Sequence, residues 1–361
     1  MKEAIVHPFP SITTEIHDIP IPTPGPDQVI IKVEVAGSNV KDWLHITARS
    51  ISVNSGDDIA GTVYQLGLNV LASGEFHIGD RVAAFHPMLS PGGAYAEYAV
   101  APQSTVLKLP TGISFEVEAA TIPLVSTTAA LSMYISQSLP PPWSPRPASS
   151  RPLPFIVYGA SSALGAFSIK FAKASNIHPI IAIGGGSKEY ASSLLDVSKG
   201  DTWVDYRQGT ESMKKQVKEA LGENAALHAV DCISDKGTWV PISQMLAQGG
   251  QVSVFTGSNS YDEDEIPSGV AIKYTYVGSA HSGAYLPTMP KQPNPEIVAT
   301  APEFAYVLFR YMGRMLFKGT FEGHPYDVIP GGLNGVATGL QRLKNGEARG
   351  KKLVYRISTT E

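Results

Sequence analysis

The densest concentration of usable chemistry is Gly159-Ala160-Ser161-Ser162-Ala163-Leu164-Gly165, directly after the apolar run Phe155-Ile156-Val157-Tyr158. A buried strand that turns on Gly159 and enters a helix running to Ala174 brings backbone N–H groups and the positive end of the helix dipole to one point. Small side chains at 160 to 162 let an anion approach that backbone, and Gly165 lets the helix pack closely on the strand. The chemistry this implies is the holding of a pyrophosphate. The same glycine spacing also suits a plain packing turn, but the strand–turn–helix setting favours a dinucleotide site.

The next strand says which dinucleotide. An NAD site asks for an acidic residue where the second strand ends, to bind the ribose hydroxyls. Here Pro179-Ile180-Ile181-Ala182-Ile183 ends in Gly184-Gly185-Gly186, followed by Ser187 and Lys188. A hydroxyl and an ammonium suit a 2′-phosphate, and Tyr206 is placed to cap it. An ordinary loop lysine is the competing reading of Lys188. The missing acid favours NADP, so NADPH is the expected cofactor.

These groups need elements to carry them. Before residue 115 the chain reads as short strands divided by turns: Val29 to Ala36, Ile59 to Tyr64, Arg81 to Phe85, and Ala94 to Val100 after Gly92-Gly93. Strands at this spacing suggest a small β-barrel or sandwich. Glu116 to Ala120 and Thr127 to Gln137 read as helical. The proline-rich stretch from Pro140 to Pro152 can be neither helix nor central strand. Beyond it strands and helices alternate, with later strands at Ala229 to Cys232 and Gln251 to Phe255, which implies βαβ units and a parallel sheet. The spacing then predicts a helix from Pro302 to Phe317, another around Gly335 to Lys344, and a closing strand from Lys352 to Ile357.

Composition narrows the classes. The chain has 361 residues, enough for two domains with full cores, and its 43% hydrophobic and 17% charged side chains describe a globular protein. A formal charge of -4 gives no basic face for nucleic acid. One cysteine, Cys232, excludes a disulfide framework or a site of several thiolates. No apolar run is long enough for a membrane span, and His7-Pro8 interrupts the start, so a soluble, cytoplasmic protein without a signal peptide is expected.

The order of motifs adds a resemblance. The strand-rich first part, Gly79-Asp80-Arg81-Val82, Gly92-Gly93-Ala94-Tyr95-Ala96-Glu97-Tyr98, the glycine turn and the returning last segment resemble the medium-chain dehydrogenase/reductase superfamily across essentially the whole chain. The resemblance implies an α/β protein: a GroES-like β-barrel catalytic domain over 1–126 and 300–361, and a Rossmann domain with a doubly wound parallel sheet over 127–299, with the active site in the cleft between them. Zinc members of the superfamily carry a Cys where this chain has Ser38-Asn39, and a His-Glu pair before the strand glycine, where the corresponding stretch here is Gly56-Asp57-Asp58-Ile59-Ala60-Gly61. They also carry a four-Cys lobe, which His86 to Pro91 replaces, so no metal is expected. Within the zinc-free branch, Ser38-Asn39-Val40-Lys41-Asp42-Trp43, Gly56-Asp57-Asp58-Ile59-Ala60-Gly61, Thr127-Thr128-Ala129-Ala130 and Arg349-Gly350-Lys351-Lys352-Leu353-Val354 are similar to fungal trans-acting enoyl reductases of polyketide pathways.

That kinship implies a hydride passed from NADPH to the β-carbon of an α,β-unsaturated thioester on the carrier domain of a partner polyketide synthase. It assigns Ser38, Asn39, Val40 and Lys41 to the nicotinamide and ribose end, and Ser161, Ser162, Ala163 and Leu164 to the pyrophosphate. Ser187, Lys188 and Tyr206 fall at the 2′-phosphate, Phe255 and Thr256 beside the nicotinamide, and Gly350 and Lys351 on the cofactor. Lys41 and Thr128 are the catalytic candidates, Lys41 with a surface lysine as its competing reading. On the helix from Pro302, Arg310, Arg314 and Lys318 share one face. That face reads first as simply solvated, with docking of an acidic carrier domain as the functional hypothesis. A sheet edge near Tyr276 to Ser279, followed by Pro287, Pro290, Pro293 and Pro295, implies a monomer. The alternatives are a zinc-free quinone or alkenal reductase acting on free small molecules, and a non-catalytic NADPH-binding scaffold.

Overall fold

The computed structural model describes residues 1–283 and 291–357. It opens with a hairpin of β1 (Lys2–His7) and β2 (Thr13–Asp18), then β3 (Gln28–Gly37), α1 (Val40–Arg49), β4 (Asp58–Leu66), α2 (Leu68–Ser73), β5 (Arg81–Phe85), β6 (Tyr98–Pro102) and β7 (Val106–Lys108). Then come α3 (Pro123–Ala130), β8 (Phe155–Tyr158), α4 (Ala163–Ala174), β9 (Ile180–Gly184), α5 (Lys188–Ser193), β10 (Thr202–Asp205), α6 (Thr210–Leu221), β11 (His228–Asp231), α7 (Trp239–Ser243), β12 (Gln251–Val254) and β13 (Ala271–Tyr274). The last elements are α8 (Pro295–Phe317), β14 (Tyr326–Val328), α9 (Val336–Lys344) and β15 (Lys352–Arg356). Contacts divide the chain into one unit of Met1–Leu124, Ala280–Ala284 and Pro302–Glu361, and another of Val125–Ser279 and Tyr285–Ala301.

The first unit is built on a sheet in the order β14-β15-β3-β4-β5-β7, with β6 also paired to β3. All its pairs are antiparallel except β14 with β15. Lys32 is the one exposed residue of β3, because strands and side chains cover both of its faces. Its core includes Val29, Ile31, Ile59, Val82, Tyr95, Leu353 and Tyr355. The rings of Tyr95 and Tyr355 meet edge to face with centroids 5.5 Å apart, a favoured aromatic geometry. In α8 the buried Ala305, Leu308, Phe309, Met312 and Leu316 recur at helical spacing and form its inner stripe.

The second unit holds an all-parallel sheet in the order β10-β9-β8-β11-β12-β13. Two βαβ runs leaving β8 in opposite directions make this the doubly wound order, and β8 ends at the switch point where such sheets bind ligands. Ile156, Ile181, Ile183, Val204, Val252 and Val254 pack with Met213, Val217 and Ile242 as its core.

Several boundaries differ from the sequence reading. Helix α8 begins at Pro295, and Pro302 lies inside it. The Oδ1 of Asn294 accepts the Glu296 N–H, and Pro295 sits in the first turn, where its missing N–H costs nothing. The sheet edge is β13, and Val277–Ala280 is a 3-10 turn rather than a strand. Residues Pro287 and Pro290, invoked for a blocked edge, lie outside the described residues. The strand expected from Ala94 begins at Tyr98, and Cys232 falls one residue beyond β11. Phe115–Ala119 and Leu131–Ser136 wind as π-helical turns, so the expected helix to Gln137 splits after Ala130. The proline-rich segment is irregular but tethered: the Arg146 N–H donates to the Ser175 carbonyl at 3.1 Å, and Asn176 Nδ2 to the Arg146 carbonyl at 3.1 Å. Among the described residues no helix is long and apolar enough to cross a membrane.

Candidate functional site

In the second unit, β8 delivers the chain to Gly159, whose φ of +73° makes the turn that an L side chain would strain. The Ser162 N–H donates to the Gly159 carbonyl at 2.9 Å, and Ser162 Oγ caps α4 by accepting the Gly165 N–H at 3.1 Å. Gly165 has no room for a side chain. A Cβ there would strike the Gly159 carbonyl oxygen and lie 2.7 Å from Ala160 Cα. The cap leaves the Ala163 and Leu164 amides in the first turn of α4, where no intrahelical acceptor exists. Ser161, Ser162, Ala163 and Leu164 are all half-buried, open to an anion along the backbone. The tight turn at Gly159 and Gly165 and the open first-turn amides of α4 fit a pyrophosphate.

The end of β9 lies alongside. Gly184 and Gly185 are buried, Gly186 and Lys188 are exposed, and Ser187 leads into α5. Tyr206, 42% exposed, turns its ring towards Tyr158 with centroids 5.7 Å apart. Tyr158, Tyr206, Thr210, Met213, Lys236 and Thr238 belong to the wall of a cavity of about 370 Å³, room enough for a purine. Sequence reasoning missed Arg207, whose Nε and one terminal nitrogen donate to Asp205 at 2.9 and 2.6 Å. Those bonds hold the Asp205 carboxyl down at about 2. Arg207 follows Tyr206 directly, and that adjacency was the only signal in the sequence.

Phe255 and Thr256 leave β12 with their backbones fixed. The Phe255 N–H donates to Ser234 Oγ at 3.0 Å, and the Thr256 carbonyl accepts the Tyr261 hydroxyl at 2.7 Å. Thr128 is buried on α3.

In the first unit the polar stretch before α1 enters a buried ionic network. Ser38 is 1% exposed, and its Oγ donates to the Leu353 carbonyl at 2.9 Å. Asn39 caps α1: its backbone N–H donates to Asp42 Oδ2 at 2.9 Å, and its Nδ2 to Asp58 Oδ2 at 2.9 Å. Val40, by contrast, is exposed. Lys41 Nζ donates to the Ser55 carbonyl at 2.7 Å and pairs with Asp42 at 2.9 Å and with Asp57 more closely still. Burial works against that ammonium, but Asp42 and Asp57 outweigh it and raise the Lys41 pKa. The same burial pushes the Asp57 carboxyl up to about 8 and also raises Asp42, which accepts the Tyr95 hydroxyl at 2.6 Å.

Gly350 and Lys351 stand elsewhere. The Gly350 carbonyl meets His324 Nε2 at 2.8 Å, and Lys351 donates to Asp327 at 2.7 Å near the surface. Its neighbour Lys352 is the inward lysine, donating to Asn39 Oδ1 at 2.6 Å and to Asp58 Oδ2 at 2.7 Å. The structure therefore gathers Asn39 and Lys41 into one network with Asp42, Asp57, Asp58, Tyr95 and Lys352. The sequence reading noted Asp57 and Asp58 within the stretch that replaces the metal ligands and as part of a motif of the resemblance, and gave Lys352 no role. Two lysines divide three carboxylates between them, a donor set that suits ion pairing. Among the described residues no group of three His, Cys, Asp or Glu side chains is arranged to hold a metal.

On α8, Arg310 donates to Glu75 at 2.6 and 2.7 Å and to the Gln103 and Val106 carbonyls at 3.0 Å each. It binds the helix to its own unit, whereas Arg314 and Lys318 are exposed. The three cations do not make one solvated face.

Comparison with known proteins follows this geometry. Residues 25–111 match the family model described as the alcohol dehydrogenase GroES-like domain. The chain is 38% identical over 338 residues to trans-enoyl reductase fsr4 of Gibberella fujikuroi, covering 93% of this chain and 92% of that protein. It is 29% identical to trans-enoyl reductase resD of Aspergillus sclerotiorum, covering 98% and 100% of the two chains. Among solved structures, the CurK enoyl reductase superposes with a TM-score of 0.72 at 15% identity, covering 98% of this chain and 99% of that one. The mycobacterial Rv1454c complexed with NADPH gives 0.72 at 20% identity, over 98% and 99%.

Proposed function

This chain belongs to the trans-enoyl reductases, within the medium-chain dehydrogenase/reductase superfamily, and from that premise we propose that it reduces an α,β-unsaturated polyketide thioester on the carrier domain of a partner synthase, with NADPH as donor. The ending of β9 carries the cofactor reading. No carboxylate stands at Gly184, Gly185 or Gly186, and Ser187 and Lys188 follow at once. A ribose hydroxyl pair finds no acceptor there, while a 2′-phosphate finds a hydroxyl, an ammonium and Tyr206. The NADPH in the complexed mycobacterial protein of the same fold supports the reading.

The bound cofactor supplies a hydride to the β-carbon of the substrate. The residues of the chain position and stabilise. The α4 amides at Ala163 and Leu164 take the pyrophosphate, and the cavity between Tyr158 and Tyr206 takes the adenine. Reduction at the β-carbon leaves negative charge on the thioester oxygen, which needs preorganised donors. Thr128 offers a hydroxyl for it. Lys41, with its ammonium spent on Asp42, Asp57 and the Ser55 carbonyl, orients the start of α1 and keeps a positive charge there.

The test is NADPH oxidation with three additions in parallel: an α,β-unsaturated pantetheine thioester, a quinone, and no acceptor. Turnover with the thioester is expected. Turnover with the quinone alone would replace this reading by a small-molecule reductase, and NADPH binding with no turnover on any acceptor would replace it by a scaffold.

A further inference from the structure

Gly184 and Gly185 have ordinary backbone angles, because neither is among the positive-φ glycines of the chain. Something other than conformation keeps side chains out. In the parallel β9–β10 pair, Trp203 lies opposite Ala182 and Asp205 opposite Gly184, so Trp203 and Gly184 project to the same face. A Cβ on Gly184 would run into Trp203 Cη2, with Cζ3 at 2.9 Å and Cζ2 at 3.2 Å. The obstacle is a fused two-ring plane carried on a strand, not the loose end of a flexible chain. One residue on, a Cβ at Gly185 would lie 3.0 Å from the Tyr206 hydroxyl oxygen and 3.1 Å from two of its ring carbons. A Cβ on Gly186 would meet nothing within 4 Å. Trp203 on β10 thus keeps Gly184 free of a side chain, while at Gly185 the exposed Tyr206 ring would need to give by only a few tenths of an ångström.

We propose that Trp203 determines which dinucleotide the chain accepts, by filling the volume that a ribose-binding carboxylate on Gly184 would need. This rests on the reading of NADPH as cofactor. A carboxylate at the end of β9 favours NAD in two ways, by accepting from both ribose hydroxyls and by repelling a 2′-phosphate. The Trp203 indole removes both at once. Asp205, the acid opposite Gly184 in the register, is spent on Arg207 through hydrogen bonds of 2.9 and 2.6 Å. The preference is therefore written in the neighbouring strand as well as in β9 itself.

The experiment uses the full chain and the variants G184A, G184D, W203V, W203V/G184A and W203V/G184D. Thermal midpoints are recorded without cofactor, and NADPH and NADH dissociation constants by fluorescence titration. G184A is expected to lower the midpoint in the wild-type background and to leave it nearly unchanged in W203V, a coupling between neighbours. W203V/G184D is expected to shift the NADPH-to-NADH affinity ratio towards NADH by at least about 100-fold relative to W203V, the low end for two charged hydrogen bonds gained and a phosphate repelled. G184D alone is expected to weaken both dinucleotides. Wild-type stability in G184D together with a full switch to NADH would overturn the proposal, as would unchanged NADPH preference in a folded W203V/G184D. A wild-type chain that binds both dinucleotides equally would instead overturn the cofactor reading, and the G184A cycle would still report whether Trp203 guards the position.

Discussion

Lys352 and Asp58 stand 294 positions apart in sequence and form a buried ion pair of 2.7 Å, with Asn39 bonded to both. Asp58 also accepts the Leu124 N–H at 2.7 Å, so its carboxylate is fully engaged. Lys352→Met would leave that charge buried without its cation, at a cost of about 3–5 kcal/mol. Urea unfolding measures it, and K352M/D58N should recover part of the loss because the orphaned charge is gone. A K352M loss below about 1 kcal/mol would place the pair among solvated surface contacts.

Asp57 makes stability fall as pH rises from about 4 to about 8. With its carboxyl pushed up to about 8 by burial, the folded chain keeps a proton that the unfolded chain releases above about pH 4. Folded protein then binds more protons than unfolded, so this contribution is complete below about pH 4 and is lost as pH rises through about 8. Differential scanning of D57N should show a flatter decline of Tm across this range than the wild type. An equally steep decline would move the titration to another group.

The acid side has a different source. Burial depresses His45 and His281 to about 3, so both stay neutral in the folded chain while the unfolded chain protonates them below about 6.5. Their contribution is complete above about pH 6.5 and is lost as pH falls towards about 3. His45→Gln should shallow the acid limb of the Tm profile and leave the alkaline limb as it was.

Gly165→Ala tests the pyrophosphate cradle. The added methyl must displace the Gly159 carbonyl or the Ala160 backbone, an overpacking cost of about 1–3 kcal/mol. Because those atoms form the turn, NADPH affinity should fall by more than about tenfold in a variant that still unfolds cooperatively. Unchanged affinity would locate the phosphates elsewhere.

Lys188→Ala separates the two dinucleotides. Loss of one charged hydrogen bond to a 2′-phosphate should weaken NADPH about 10- to 100-fold and leave NADH within about twofold. Equal weakening of both would assign Lys188 to the shared pyrophosphate.

Helix α8 offers a contrast between neighbours. R310A should lower Tm, because Glu75 and two carbonyls lose their donor. R314E/K318E should leave Tm within error, since both side chains are exposed, and should slow turnover with a carrier-bound substrate relative to a free pantetheine thioester. Equal turnover on both substrates would remove these two residues from carrier docking.

What could be read from the sequence was local. The turn from β8 into α4 depends on residues within a dozen positions, so glycine spacing and apolar runs disclosed it. Alternating strands and helices likewise gave the parallel sheet, and the resemblance its doubly wound order. The Lys352–Asp58–Asn39 network was invisible because only the pairing of β15 with β3 brings its members together. Pro302 marked a false helix start because proline is favoured in a first turn, yet Asn294 and Pro295 offered the same signal seven residues earlier. Ser38 was assigned to the cofactor by resemblance alone, and its hydrogen bond to the Leu353 carbonyl, set by the register with β15, could not be read from the sequence. The three glycines at the end of β9 were visible, but the Trp203 indole that leaves no room for a side chain at Gly184 lies on the next strand.

The pairing of β15 with β3 also sets a schedule for synthesis. A nascent chain emerging at about 5–20 residues per second presents β3 and Asp58 long before Lys352 leaves the ribosome. Until then the end of β3 from Val35 to Gly37, beyond its pairing with β6, lacks its β15 partner and the Asp58 carboxylate its cation, while every strand of the parallel sheet has already emerged. The first unit, though begun first, is thus the last to close, and its waiting strand is where misassembly or chaperone capture would concentrate.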